Sequence, residues 1–216
     1  MKSQELLRVS EIFASLQGES TTVGVPTVFV RLTGCPLRCR WCDTTYAFRG
    51  GERLTIDEIL ARVSDLGLPE VCVTGGEPLA QAACRDLLAT LADAGHRVSL
   101  ETSGALSIAG LDPRVRCVMD LKAPGSGEAD KNLWDNLDHL RPHDEVKFVL
   151  AGRADYDWAK DVLERHGLAR RATVLFSPVA GELAPSTLAD WIVADRLPVR
   201  FQLQLHKILW GDARGK

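Results

Sequence analysis

Val28-Phe29-Val30-Arg31-Leu32-Thr33-Gly34-Cys35-Pro36-Leu37-Arg38-Cys39-Arg40-Trp41-Cys42-Asp43-Thr44 is the stretch from which the rest of the chain can be read. Residues 28–33 are rich in β-branched and apolar side chains and stop at a Gly-Cys-Pro turn, which predicts a strand and its carboxyl end. Similar runs recur at 70–74, 97–101, 115–120, 145–150, 172–176 and 199–205. Between several of them lie segments of helical period at 55–65, 79–94, 155–166 and 185–194. Thr55 and Glu58 have capping-box spacing, and Gly67, Gly95 and Gly167 stand where helices end. Strands alternating with helices predict an α/β fold whose parallel sheet is covered by helices. Six or seven strands in 216 residues fall short of the eight units, in about 250 residues, of a closed barrel, so an incomplete barrel fits best. No repeat or long linker divides the chain, and residues 1–216 are expected to form one domain.

Composition narrows the function classes. Apolar residues make up 45% and charged residues 25%, the balance of a globular protein and not of a disordered one. With 26 basic and 29 acidic side chains the net charge is −3, so no global positive field exists to hold a nucleic-acid backbone. No run approaches the roughly 18 apolar residues of a membrane span, and the first residues carry no apolar core of a secretory leader. The expected setting is cytoplasmic, without nucleic-acid or membrane partners. Thiols stay reduced there, so the six cysteines read as metal ligands, nucleophiles or small buried side chains before they read as disulfides.

Cys35, Cys39 and Cys42 fall at C-x3-C-x2-C spacing directly after a strand, where α/β proteins place ligands. Thiolates favour zinc or iron-sulfur centres. A structural zinc ion wants four protein ligands, and no second cysteine pair supplies them: Cys72, Cys84 and Cys117 are isolated in strand or helix patterns. A three-cysteine cluster instead leaves one iron open for an exogenous ligand. A zinc-stabilised interaction module is the non-enzyme alternative, separated by metal content and colour. Thr74-Gly75-Gly76-Glu77-Pro78 follows the next strand; it is either a tight turn or a place where main chain approaches a ligand with Glu77 beside a positive charge. In Leu16-Gln17-Gly18-Glu19, an amide and a carboxylate side by side suit a nitrogen-rich heterocycle, or form an ordinary turn. Arg31, opposite Val28 and Val30 on its strand, is either a sheet-face ion pair or a partner for a substrate carboxylate.

The loop with Cys35, Cys39, Trp41 and Cys42 resembles the radical S-adenosylmethionine superfamily, and Gly75-Gly76-Glu77 resembles that superfamily's GGE segment. Together with LQGES, CDTTYAF, LETSG, MDLKAPGSG and FQLQLHKILWGD, these pieces resemble the 7-carboxy-7-deazaguanine synthase family from about residue 10 to residue 212. Ser20 departs from the family's more frequent glycine, and Phe176-Ser177-Pro178 departs from members with glutamine before the proline.

The resemblance implies a partial (β/α)6 TIM-like barrel with mostly parallel strands. It implies a 4Fe-4S cluster on Cys35, Cys39 and Cys42, with S-adenosylmethionine on the unique iron as a recycled source of a 5'-deoxyadenosyl radical. The implied reaction converts 6-carboxy-5,6,7,8-tetrahydropterin to 7-carboxy-7-deazaguanine with loss of ammonia, a carbon-nitrogen lyase step of queuosine and 7-deazapurine biosynthesis. Leu16, Gln17, Gly18, Glu19, Arg31 and Thr74 are implied at the pterin. Trp41, Cys42, Asp43, Gly76, Glu77, Ser103, Asp120, Leu121 and Lys122 are implied at the cofactor, and Thr44 on Mg2+, an ion that takes hard oxygen ligands. The same resemblance suggests a homodimer and an electron donor such as flavodoxin. A glycyl-radical activase is the alternative within the superfamily. Glu101 reads as a ligand contact or a partner of Lys122, and His206 and Lys207 as a solvated strand edge or the lip of the site.

Overall fold

A computed structural model describes residues 6–211 and 213–216. Residues 1–5, part of the segment read for a leader, and Asp212, at the end of the terminal motif, lie outside the described residues. The strands are β1 (Leu7–Leu16), β2 (Pro26–Leu32), β3 (Glu52–Leu54), β4 (Glu70–Gly75), β5 (Arg97–Thr102), β6 (Arg116–Asp120), β7 (Glu145–Leu150), β8 (Thr173–Pro178) and β9 (Arg200–Phe201). They form one sheet in the order β3-β1-β2-β4-β5-β6-β7-β8-β9. β1 runs antiparallel to β2 and β3, and every other neighbouring pair is parallel. The sheet is open, with β3 and β9 at its edges, as an incomplete barrel requires.

The α-helices are α1 (Ile56–Leu66), α2 (Cys84–Asp93), α3 (Arg153–His166), α4 (Pro185–Asp195) and α5 (Leu205–Trp210). Thr55 and Glu58 close the expected capping box at α1, and Gly67 and Gly167 end α1 and α3 in the left-handed region. Two expectations are corrected. The helix over 79–94 begins late: Glu77 accepts from the Leu79 amide, Pro78 opens a separate 3-10 turn, and extended Gln81 interrupts the chain before α2. Its far end is as expected: Gly95 holds φ +89° and donates to the Ala92 carbonyl, and the His96 amide donates to the Leu91 carbonyl. The strand over 199–205 shrinks to two residues, because the chain turns into α5 once the Leu205 amide donates to the Gly18 carbonyl at 2.9 Å.

Among the described residues no α-helix covers the β5–β6 connection, and three 3-10 turns fill the β6–β7 connection. β1 was absent from the sequence reading for a local reason. Leu7 and Val9 face the core, a bulge falls between Val9 and Glu11, and from there Ile12 takes the core side. A single extra residue inverts the alternation, so the period of two is lost in a window spanning it.

The two faces of the sheet differ in chemistry. On the outer face, Val28, Val30, Val71, Val73 and Leu100 pack with Ile59 and Val63 of α1 and with Leu87, Leu88 and Leu91 of α2. Met119, Val146, Phe148 and Phe176 pack likewise with Tyr156 and Val162 of α3 and with Leu188 of α4. The alternate residues, Arg31, Thr74, Glu101, Asp120 and Lys147, face a common cavity. Alternation along each strand therefore assigns apolar side chains to helix packing and polar ones to the concave face. Replacing Leu88, fully buried at 0% exposure, by Ala is expected to cost about 2–5 kcal/mol. Thr55→Ala, which removes one cap, is expected to cost about 1 kcal/mol; urea denaturation of the two variants checks the order.

Candidate active site

β2 ends at Leu32, and the chain passes into the cysteine loop at the carboxyl edge of the sheet. Cys35, Cys39 and Cys42 are half-buried free thiols, whereas Cys72, Cys84 and Cys117 are buried. The loop is held at several points. Arg38 Nη1 donates to the carbonyls of Cys35 and Leu37 at 2.7 and 2.6 Å, and the Arg40 amide donates to the Ser126 carbonyl at 3.0 Å. Arg40 Nε reaches the Gly125 carbonyl at 3.1 Å, so the loop rests on the turn that follows β6. From the other side comes the segment after β4, whose Glu77 amide donates to the Gly34 carbonyl at 2.6 Å. A Cβ on Gly76 would lie 2.1 Å from the Gly34 carbonyl oxygen, so only glycine permits this approach.

The cavity at this edge measures about 360 Å3 and is lined by all three cysteines. Trp41, Asp43, Thr44, Gly76, Ser103, Asp120 and Lys122 also line it, as do Leu16, Gln17, Gly18, Glu19, Arg31 and Thr74. Glu77 and Leu121 do not line it. The Glu77 carboxylate is fully buried and accepts from Leu79 N, Thr102 Oγ1, Ser103 N and Ser103 Oγ. It pins the turn that carries Gly76 instead of facing the cavity. Leu121 is an outer-face core residue.

Arg31 Nε donates to Glu11 Oε1 at 2.6 Å, and Tyr46 donates its hydroxyl to the same oxygen at 2.7 Å. The guanidinium also lies over the Phe13 ring, 5.7 Å from its centroid. Glu101 accepts from Thr74 Oγ1 at 2.9 Å and from Gln17 Nε2 at 3.2 Å, which makes it part of the N-terminal wall and no partner of Lys122. Thr44 Oγ1 donates to Asp43 Oδ1 at 2.9 Å, and its side chain does not cap the 3-10 turn that follows. His206 and Lys207 sit on α5 and line the cavity, as its lip and not as a strand edge. A Cβ on Gly18 would meet His206 Nδ1 at 2.3 Å. Ser20 holds φ +66°, the left-handed region glycine adopts at no cost, and its hydroxyl meets Thr22 Oγ1 at 2.7 Å.

A buried chain of charges crosses the cavity. Lys122 Nζ lies 2.5 Å from Asp120 Oδ2, and Lys147 Nζ lies 3.2 Å from Asp120 Oδ1 and 2.6 Å from Glu19 Oε2. Gln204 Nε2 donates to Glu19 Oε1 at 2.8 Å, and Lys207 Nζ lies 3.3 Å from Asp43 Oδ2. Burial alone would raise the carboxyls of Glu19 and Asp120, but Lys147, with Lys122 on Asp120, holds both below the ordinary carboxylate range. Burial would likewise lower Lys147, yet Asp120 and Glu19 carry it well above the ordinary lysine value. Burial pushes the Cys35 and Cys39 thiols up. A bound metal cation is what would keep such thiols deprotonated at neutral pH.

The Radical SAM superfamily model matches residues 29–122, from β2 through the Asp120–Lys122 segment. A 7-carboxy-7-deazaguanine synthase of Chlorobaculum tepidum is 48% identical over 219 residues, covering 100% of both chains. Another, of Koribacter versatilis, is 43% identical and covers 94% of this chain and 97% of its own. This chain belongs to the 7-carboxy-7-deazaguanine synthase family. The crystal structure of QueE from Escherichia coli has the same fold, with a TM-score of 0.77 at 23% identity, covering 93% of this chain and 95% of that one. The radical S-adenosylmethionine fold, read from the cysteine loop and the strand count, therefore stands.

For a member of this superfamily the implied groups are a 4Fe-4S cluster and S-adenosylmethionine, and the residues present fit them. Three half-buried thiols on one loop line a cavity, and the Gly76 main chain, which also lines it, packs against that loop with no room for a side chain. Lys147 and Glu11 escaped the sequence reading. Lys147 carried a signal, a charged side chain alternating with Val146 and Phe148 in an apolar strand; the contact of Glu11 with Arg31 lies across a bulge that hid its strand.

Two predictions arise here. Gly76→Ala is expected to displace the cysteine loop and lower iron content after reconstitution several-fold, whereas Gly152→Ala, with open space around it and an extended φ of 178°, is expected to leave iron content unchanged. The paired charges also set a pH window. Glu19 and Asp120, lowered in the folded state, contribute stability above their ordinary values of 4.5 and 3.8 and lose it as pH falls below them. Lys147, raised, contributes below its ordinary value of 10.5 and loses that contribution as pH rises through its higher folded value. Denaturation midpoints should therefore hold a plateau between these limits and fall on both sides.

Proposed function

We propose that this protein converts 6-carboxy-5,6,7,8-tetrahydropterin to 7-carboxy-7-deazaguanine with release of ammonia, a carbon-nitrogen lyase step of queuosine and 7-deazapurine biosynthesis. The observation that carries the reading is the convergence on one cavity of three half-buried thiols with Gln17, Glu19, Glu101 and Arg31. Cys35, Cys39 and Cys42 would hold the 4Fe-4S cluster, and Gly76 would bring main-chain groups to the cofactor. Trp41, Asp43, Ser103, Asp120 and Lys122 would line the cofactor. With S-adenosylmethionine, the cluster supplies one-electron reduction and hydrogen-atom abstraction.

The remaining work belongs to the chain. Gln17, Glu19 and Glu101 offer the alternating donors and acceptors that a pterin edge requires. Leu16, Gly18 and Thr74 complete that wall, with Gly18 held against His206. Arg31 has Nε on Glu11, and its Nη groups would meet the substrate carboxylate. Its charge is secure: burial would lower the guanidinium, but Tyr46 and Glu11 raise it. Thr44, whose hydroxyl is not used as a cap, would join substrate oxygens on Mg2+.

We further read residues 1–216 as one catalytic unit, because the strands of a single sheet and the connections that follow them carry every proposed contact. A one-electron donor such as flavodoxin would reduce the cluster. Exposed Val193, Phe201, Ile208 and Leu209, on α4, β9 and α5, favour a homodimer. Among the described residues no helix is long and apolar enough to cross a membrane. Six cysteines without a disulfide among them suit the reducing cytoplasm.

The test is anaerobic incubation of reconstituted, reduced protein with S-adenosylmethionine, Mg2+ and the carboxylated pterin, read by mass spectrometry. Many molecules of 7-carboxy-7-deazaguanine per cofactor are expected. Cofactor cleavage without that product would instead favour a glycyl-radical activase. Cys39→Ala should abolish cofactor cleavage, and Arg31→Ala should raise KM for the pterin by roughly ten- to a hundred-fold, the loss of a charged hydrogen-bonded pair.

A further inference from the structure

Lys147 projects from β7 into the cavity, and its side chain is 11% exposed. Its ammonium touches two carboxylates that belong to different walls. Glu19 comes from the loop after β1 and places its other oxygen on Gln204; Asp120 ends β6 and places its other oxygen on Lys122. Lys122 in turn lies within electrostatic reach of Cys39. Each carboxylate thus has one oxygen on a group of its own wall and the other on Lys147. The two carboxylates repel each other across this gap, and Glu101 faces the same ammonium from β5. Lys122 and Lys147 together balance Glu19 and Asp120, and Glu101 adds a further negative charge. Without Lys147, two buried carboxylates would share no cation and would part or take up protons.

We propose that Lys147 is a positioning residue shared by both halves of the site, so that one side chain sets the affinity for the sulfonium cofactor and for the carboxylated heterocycle together. The inference rests on the function proposed above, which puts the cofactor on the Asp120 side and the substrate on the Glu19 side. A lysine suits the task because a compact ammonium with three N–H groups donates to carboxylates in separate directions, whereas a planar guanidinium favours one paired carboxylate. Arg31 differs in serving only the substrate wall, which makes it the internal control.

The experiment uses full-length protein, anaerobically reconstituted but left unreduced so that no turnover occurs. Binding of S-adenosylmethionine is measured by equilibrium dialysis and binding of oxidised 6-carboxypterin by its fluorescence, with thermal unfolding recorded for each variant. Lys147→Gln is expected to raise both dissociation constants by ~10-fold or more, and Arg31→Ala to raise only that of the pterin. A side chain needed solely for folding would lower Tm and leave both constants of the folded fraction unchanged, which would overturn the proposal. A change in one constant alone would overturn it as well.

If wild-type protein binds the cofactor and not the pterin, the functional reading falls and the proposal with it. If it binds both and Lys147→Gln moves neither, only the proposal falls. Should Lys147→Gln not fold, Glu19→Gln replaces it: a shift of cofactor affinity by at least ~3-fold supports the shared ammonium, and an unchanged affinity contradicts it.

Discussion

The approach of the Gly76 main chain to the Gly34 carbonyl is the constraint on which the site depends. A methyl group there would overlap the oxygen, and the neighbouring Glu77 amide would lose its 2.6 Å bond to Gly34. That contact brings the segment after β4 against the loop after β2 and leaves three thiols open to one cavity. Glu77 maintains it from behind: a fully buried carboxylate with Thr102, Ser103 and Leu79 as donors holds the turn in one geometry. Its role is to keep the glycine in place.

A second consequence follows from the open parallel sheet. Helices α1 to α4 cover its outer face, so the inner face need not be apolar, and Arg31, Thr74, Glu101, Asp120 and Lys147 occupy it. Burying such groups is unfavourable unless each meets a partner. Arg31 meets Glu11, Thr74 meets Glu101, and Lys147 meets Glu19 and Asp120. These pairs fix the cavity's side chains through contacts within the chain, which reduces the reorganisation that binding requires. α5 completes it by seating His206 on Gly18 and Lys207 on Asp43.

The strand–loop unit at 28–44 and the alternation of strands and helices were legible because they depend on neighbours in sequence. The three thiols and the glycine turn were legible for the same reason. β1 was not, because its bulge reverses which side chains are apolar midway along the strand. The segment at 199–205 alternates Phe201, Leu203 and Leu205 as a strand would, but a contact with Gly18, almost two hundred residues earlier, turns it into α5. Glu77 was placed on the cofactor by analogy with its motif; only the fold brings Thr102 and Ser103 to its carboxylate. Lys147 carried the same signal as Arg31, a charge in an apolar strand, and its meaning appears only when Glu19 and Asp120 converge on it.

The central claim is that the cysteine loop and the glycine turn together present one open iron to S-adenosylmethionine. Electron-nuclear double resonance of the reduced, reconstituted protein with S-adenosylmethionine labelled with 15N at its amino group and 17O at its carboxylate tests it most directly. The account predicts hyperfine coupling of both labels to a 4Fe-4S cluster in the wild-type protein. A cluster that forms and is reduced yet shows no coupling to either label would contradict it.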